Sequence, residues 1–170
     1  MASILKVDQL QKPDGSTPTA ADLGIDVAGS VVQVYRHVFT TKTTNQADYT
    51  FAEAAGSSFS FTPKFSNSQL IIQAEAMYYL YQNNNYIGGA IRIVHDGTAL
   101  SNSSLDNYAY VLQGTPMWDY NTTNKSWSVS AGSTNARQIS LQFAPYGGTD
   151  MDINNFSESS SSITVYEIAQ

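Results

Sequence analysis

The sequence predicts an all-β protein: an antiparallel β-sandwich or jelly-roll-like body behind an extended N-terminal anchoring segment. Three observations carry that prediction. Segments rich in β-branched and aromatic residues recur at strand length. The longest, Gln69 to Tyr81, places apolar residues at every second position on one face. Clusters of Gly, Asn, Ser and Thr separate the segments, and His95-Asp96-Gly97 carries the Asp-Gly pair of a tight hairpin.

At 170 residues the chain has room for one hydrophobic core and a short appendage. It divides into residues 1–29 and a β body over residues 30–170. In the first part Ile4, Leu5, Val7 and Leu10 supply apolar surface without a clean period. Lys12-Pro13-Asp14-Gly15 predicts a tight turn near Asp14, because Pro fixes φ and Gly permits positive φ. Thr19 can cap one helical turn, Ala20-Ala21-Asp22-Leu23, which Gly24 would end. Such a segment buries little surface by itself and needs a partner.

In the body, VVQVYRHVFTT from Val31 reads as one long strand. Val32, Val34, Arg36 and Val38 share one face, and Val31, Gln33, Tyr35, His37 and Phe39 the other. Thr43-Thr44-Asn45-Gln46 reads as a polar turn, and Phe51 to Ala55 has helix propensity short enough for tertiary context to override. In Gln69 to Tyr81 the core face is Leu70, Ile72, Ala74, Ala76, Tyr78 and Leu80. The other face, Ile71, Gln73, Glu75, Met77, Tyr79 and Tyr81, is too aromatic for an idle solvent face. The next strand lies in YIGGAIRIVHDGTALS, with Gly88-Gly89 just before it as a bulge or a close backbone approach; no helix follows the pair, so it is not a phosphate loop. Further strands are expected at Asn107 to Gln113, Lys125 to Ala131, Gln138 to Phe143 and Ser162 to Ile168. Asp106, Asp119, Asp150, Asp152 and Glu158 then fall in loops.

Charged residues are only 13% of the chain, so hydroxyls and amides make the surface polar. With a net charge of −6 and its eight bases scattered singly, the chain lacks the clustered Lys and Arg of a nucleic-acid surface. The absence of cysteine rules out a disulfide framework, a thiolate metal site and a cysteine nucleophile. No stretch has the length of a signal-peptide core or the ~20 apolar residues of a membrane span. The two histidines, His37 and His95, stand without a Gly-x-Ser-x-Gly elbow, so no catalytic residues are expected. Asp150-Met151-Asp152-Ile153-Asn154-Asn155 imitates the opening of an EF-hand loop, but Asn155 stands at the sixth position and Ser161 at the twelfth. It reads as a solvated acidic loop, and no metal or other cofactor is expected. The clustered Tyr78, Tyr79, Tyr81, Tyr86, Tyr108, Tyr110, Trp118, Tyr120 and Trp127 suit a core and its rim, a subunit interface, or stacking against sugars.

Four stretches carry a family resemblance: MASILKVDQLQKPDGSTPTAADLGI, FSFTPKFSNSQLIIQAEA, GGAIRIVHDGTALS and SSSSITVYEIAQ. They resemble, in turn, the leader, a recurrent strand-turn-strand, a following hairpin and the terminal strand of virion fibre and appendage proteins of tailed phages, of the cyanophage and marine podovirus type. The resemblance implies a virion structural protein, commonly a homotrimer, made in the host cytoplasm and attached to another virion protein through residues 1–29. The anchoring residues would be Ile4, Leu5, Val7, Leu10 and Leu23, and the subunit interface would use Ile71, Met77, Tyr79 and Tyr81. The length favours a compact knob, a capsid decoration (head fibre) or a small tail appendage. A carbohydrate-binding module of a tail fibre is the alternative, with Trp118 and Tyr120 contacting host surface glycan. No catalytic residue carries over, and neither nucleic acid nor membrane insertion is implied.

Overall fold

The structure is a computed structural model that describes residues 11–16, 28–82, 86–100, 108–112 and 117–170, with side chains beyond the backbone left aside at 82, 86–87, 108–112 and 117–118. All regular structure in these residues is β-strand: β1 (Val31–Phe39), β2 (Thr43–Asn45), β3 (Ala52–Glu53), β4 (Phe59–Phe61), β5 (Gln69–Gln82), β6 (Tyr86–His95), β7 (Thr98–Ala99), β8 (Tyr108–Leu112), β9 (Met117–Ser130), β10 (Arg137–Tyr146), β11 (Asp150–Ile153) and β12 (Ser161–Ile168).

Every strand pairing is antiparallel, and the strands form two sheets. The first sheet is built on β5, which pairs with β9 from Gln69↔Ser130 to Gln82↔Met117. The other side of β5 carries β12 and β11 end to end, flanked in turn by β1 and β2. The second sheet is built on β10 and β6, with β3 and β4 beyond β10 and β7 and β8 beyond β6. Collinear pieces (β1 with β2, β3 with β4, β7 with β8, β11 with β12) count as one strand each, which leaves eight in the orders 1-8-3-6 and 2-7-4-5. Two four-stranded sheets so connected are a jelly roll.

The core lies between the sheets. Leu70, Ile72, Ala74, Ala76, Tyr78 and Leu80 of β5 meet Ile91 and Ile93 of β6 and Ile139, Leu141 and Phe143 of β10. The period-two reading of β5 is therefore correct residue by residue. Gly88 and Gly89 lie inside β6 rather than before it, and at Gly89 a Cβ would come 2.5 Å from Met151 Sδ and 3.2 Å from Leu80 Cδ2, the close approach expected of the pair. Asp96 and Gly97 turn the β6–β7 hairpin with φ of 48° and 77°. On β1 Tyr35, His37 and Phe39 turn inward as expected, where Phe59 stacks on Tyr35 at 5.3 Å and on His37 at 4.8 Å, but the register irregularity between Val31 and Gln33 pairs Val31 with Ile168 and takes it off their face, against the sequence reading. The turn at Asp14 is present, with Gly15 at φ 83° and Asp14 Oδ1 accepting from Ser16 N and Oγ.

Four further sequence readings need correction. Thr43 to Asn45 is a strand, because its backbone pairs with β11 and Asn45 Nδ2 donates to the Phe143 and Thr50 carbonyls. Phe51 to Ala55 is not helical; Ala52 and Glu53 extend to pair with β10. The strand expected from Lys125 begins eight residues earlier, at Met117, which puts Asp119 in β9. Asp150 and Asp152 belong to strand β11, whose intervening Met151 and terminal Ile153 fill the core. Asn154 at φ 54° then ends β11; its Nδ2 donates to the Phe39 carbonyl and its Oδ1 accepts from Ser161 Oγ, joining β11 to β12.

Glu167 went unnoticed in the sequence and is wholly buried at the end of β12. Its carboxylate accepts from Lys64 N, Phe65 N, Ser68 Oγ and Gln33 Nε2 at 2.6 to 2.9 Å. Burial disfavours the charge, but these donors outweigh it and hold the pKa below the usual glutamate value. The carboxylate thereby fixes the loop that leads into β5.

Candidate functional site

The outer face of the first sheet is a broad surface of strand-borne side chains with no partner layer among the described residues. Register gives its rows directly, because residues paired across antiparallel strands share a face. One row is Val34, Tyr166, Ile71 and Ser128; the next is Arg36, Thr164, Gln73 and Ser126; then Val38, Ser162, Glu75 and Asn124. Towards the other end lie Met77 with Thr122, then Thr44, Asp152, Tyr79 and Tyr120, then Asp150, Tyr81 and the backbone of Trp118.

Val34, Val38 and Ile71 are exposed by 55%, 50% and 37%. β-Branched residues on a sheet face at that exposure, two on edge strand β1 and one on central β5, are a surface awaiting cover. Val34 lines a shallow depression of about 480 Å³ together with Arg36, Gln73, Glu75, Asn124 and Tyr166, and Val38 and Ile71 lie in the same rows of this face. Opposite charges, Arg36 and Glu75, thus sit beside the exposed aliphatic side chains, with Arg36 Nη2 donating to Ser162 Oγ at 3.3 Å.

A second depression, about 350 Å³, is lined by Lys42, Thr44, Tyr79, Tyr81, Asp150 and Asp152. Lys42 Nζ lies 3.0 Å from Asp152 Oδ2, and Gln46 Nε2 donates to Asp150 Oδ2 at 2.9 Å. Both carboxylates of the imitation EF-hand thus already have protein partners, one of them a cation. Tyr120 borders this end, its ring edge-on to exposed Phe156 at 4.8 Å and its hydroxyl 3.2 Å from Ser159 Oγ. On the inner side Tyr78 donates to Asp119 Oδ2 at 2.9 Å; burial and that carboxylate raise its phenol well above the ordinary value.

The expected interface residues Ile71, Met77, Tyr79 and Tyr81 do share this face, and so does Tyr120 from the glycan pair. Trp118 stands opposite Tyr81 by backbone register, and its side chain lies outside the described residues. So do the anchoring residues Ile4, Leu5, Val7, Leu10 and Leu23, the one-turn helix before Gly24, and Asp106. Phe156 and Tyr166 were missed; Tyr166 was legible, because it alternates with the inward Val165 and Ile163. Of the two histidines, His37 Nε2 donates to the Gly56 carbonyl at 2.7 Å, and burial lowers the pKa of His95. Among the described residues no three His, Asp or Glu side chains group to hold a metal ion, and no helix is long and apolar enough to cross a membrane.

No protein-family model and no curated protein matches the chain. Among solved structures, the infectious bursal disease virus VP2 subviral particle is similar over 98% of this chain and 42% of that one, at 12% identity and a TM-score of 0.40. The structure of the Gx strain of infectious bursal disease virus covers the same shares at 13% identity and a TM-score of 0.33. The chain thus spans about two fifths of those chains. A likeness this distant carries no inference about function. The jelly roll leaves function open as well, since capsid, lectin and cupin domains all use it.

Proposed function

We propose that this chain is a non-enzymatic structural protein of a tailed-phage virion, a short knob that assembles with copies of itself through the outer face of the first sheet. Residues 1–29 attach it to another virion protein, and three copies is the number the sequence resemblance implies. The observation that supports this reading is the exposed set Val34, Val38 and Ile71 with half-buried Tyr166 on one strand-borne face, and Arg36 and Glu75 among them. A second copy fits such a patch because it brings the opposite charge as well as apolar cover. Already about half covered, each of the three aliphatic side chains would contribute about 0.5 to 1.5 kcal/mol on full burial.

Sedimentation velocity at micromolar concentration tests this. The wild-type chain should sediment as an oligomer of its 18.5 kDa protomer, and Ile71→Asp as a smaller folded species. A wild-type monomer, or an Ile71→Asp oligomer of unchanged size, would refute the face as the interface.

The second depression favours one further reading, a glycan contact in which Tyr79 and Tyr81 stack on a sugar ring and Lys42, Thr44, Asp150 and Asp152 bind its hydroxyls. A glycan array separates the two, because only this reading predicts a hit that Tyr79→Ala abolishes.

A further inference from the structure

The strand β9 forms an edge of the first sheet along all its 14 residues, and among the described residues no strand covers its outer side. Its pairing with β5 runs through without a register break. Long straight edges of this kind are ordinarily blunted by a bulge, a proline or a run of lysines. MWDYNTTNKSWSVS has neither bulge nor proline, and its only charges are Asp119 and Lys125.

The direction of its free backbone groups follows from β5. Met77 N donates to Ser161 Oγ and Met77 O accepts from Asn154 N, so Met77 spends both groups on the side away from β9. Its partner Thr122 therefore turns its own N–H and C=O away from β5. Thr122 N indeed bonds only locally in the strand, to Asn121 Oδ1 at 2.8 Å. By alternation Tyr120, Asn124 and Ser126 present their backbone groups outward as well.

We propose that β9 pairs antiparallel with β9 of a second copy across a twofold axis at Thr122, with Asp119 of each copy opposite Lys125 of the other. Antiparallel pairing of a strand with itself permits only registers in which the paired numbers differ by an even amount, since outward groups must meet outward groups. Centring on Asp119 would oppose two aspartates, and centring on Lys125 two lysines. Centring on Thr122 pairs each carboxylate with an ammonium, and sets Tyr120 opposite Asn124. The contact forms ~10 backbone hydrogen bonds and merges the two outer faces into one continuous sheet. It is separate from the outer-face contact and needs nothing from the virion reading; different substitutions break the two.

Single cysteines in this cysteine-free chain test it. Thr122→Cys places two thiols across the axis at the ~5.5 Å Cα spacing of a hydrogen-bonded pair, within disulfide range. Under mild oxidation the full chain should form a disulfide-linked dimer, whereas exposed Ser128→Cys on the same strand should not. Adding Lys125→Glu should slow linkage at position 122 about tenfold, and adding Asp119→Lys as well should restore it. Thr122→Pro spares the ladder to β5 and should abolish the edge contact while leaving the Trp127 fluorescence of the folded chain intact. Ile71→Asp should leave linkage at 122 unchanged. Linkage at 128 equal to that at 122, no linkage at 122, or indifference to Lys125→Glu would overturn the proposal.

Discussion

Replacing Glu167 by Gln keeps the shape of a buried side chain while removing its charge. In the native chain both carboxylate oxygens only accept: Oε1 from Lys64 N, Phe65 N and Ser68 Oγ, Oε2 from Lys64 N and Gln33 Nε2. A carboxamide must turn an N–H₂ towards one of those donor sets, so at least one backbone N–H or the Gln33 amide loses its acceptor in a site closed to water. Hydrogen bonds to a charged group are worth about 1.5 to 3 kcal/mol each and a stranded buried donor costs about 1 to 3. Glu167→Gln should therefore lose about 2 to 4 kcal/mol, a fall of roughly 4 to 16 °C in Tm for a domain of this length. The pH dependence has a defined sign. The folded pKa lies below the ordinary glutamate value, so the stabilisation is complete above that value and is lost as pH falls from there through the folded pKa. Urea unfolding at fixed protein concentration, at pH 7 and near pH 3, measures both effects. A Glu167→Gln variant within about 0.5 kcal/mol of wild type at pH 7, or one that loses as much stability in acid as wild type does, would refute this account of the site.

Three further outcomes follow from the same geometry. Gly89→Ala should destabilise by about 1 to 3 kcal/mol in urea, because the added Cβ meets Met151 and Leu80 in a filled core, and an unchanged midpoint would mean the two sheets can separate there. Deleting residues 2–24 should leave a folded body with the circular dichroism of the full chain that no longer assembles on particles; retention on purified virions would remove the anchoring role. Asp96→Ala should cost about 1 to 2 kcal/mol, because Asp96 accepts from Gln138 N at 2.9 Å and from Arg137 Nη1 at 2.8 Å across the hairpin, and a neutral result would show that the turn holds itself.

The long strands were legible where one face alone is apolar. Leu70 to Leu80 announces its core face, and the opposite residues Ile71, Tyr79 and Tyr81 announced that this face was not simply wet. β9 was half legible, because Asn121-Thr122-Thr123-Asn124 has the composition of a turn; pairing along the whole of β5 overrides that local preference. In β11 the carboxylates of Asp150 and Asp152 drew the reading towards a loop. The signal that corrects it was present, since Met151 and Ile153 alternate with them and fill the core. Glu167 was discoverable by the same parity: it shares a face with the inward Ile163 and Val165, so it had to be a buried carboxylate or the end of the strand. What sequence could not supply was the meeting of β2 and β11 that brings Lys42 to Asp152, or the donors 99 to 134 residues away that make Glu167 tolerable. Those depend on chain crossings that no local pattern encodes.

The central claim is that this jelly roll is a virion part held to its own copies through the outer face of the first sheet. A cryo-EM map of the particle at side-chain resolution tests it most directly. The account predicts density for Val34, Val38, Ile71 and Tyr166 packed against a neighbouring copy, with residues 1–29 seated on a different virion protein. A map in which that face stands in solvent, or particles that lack the chain altogether, would contradict it.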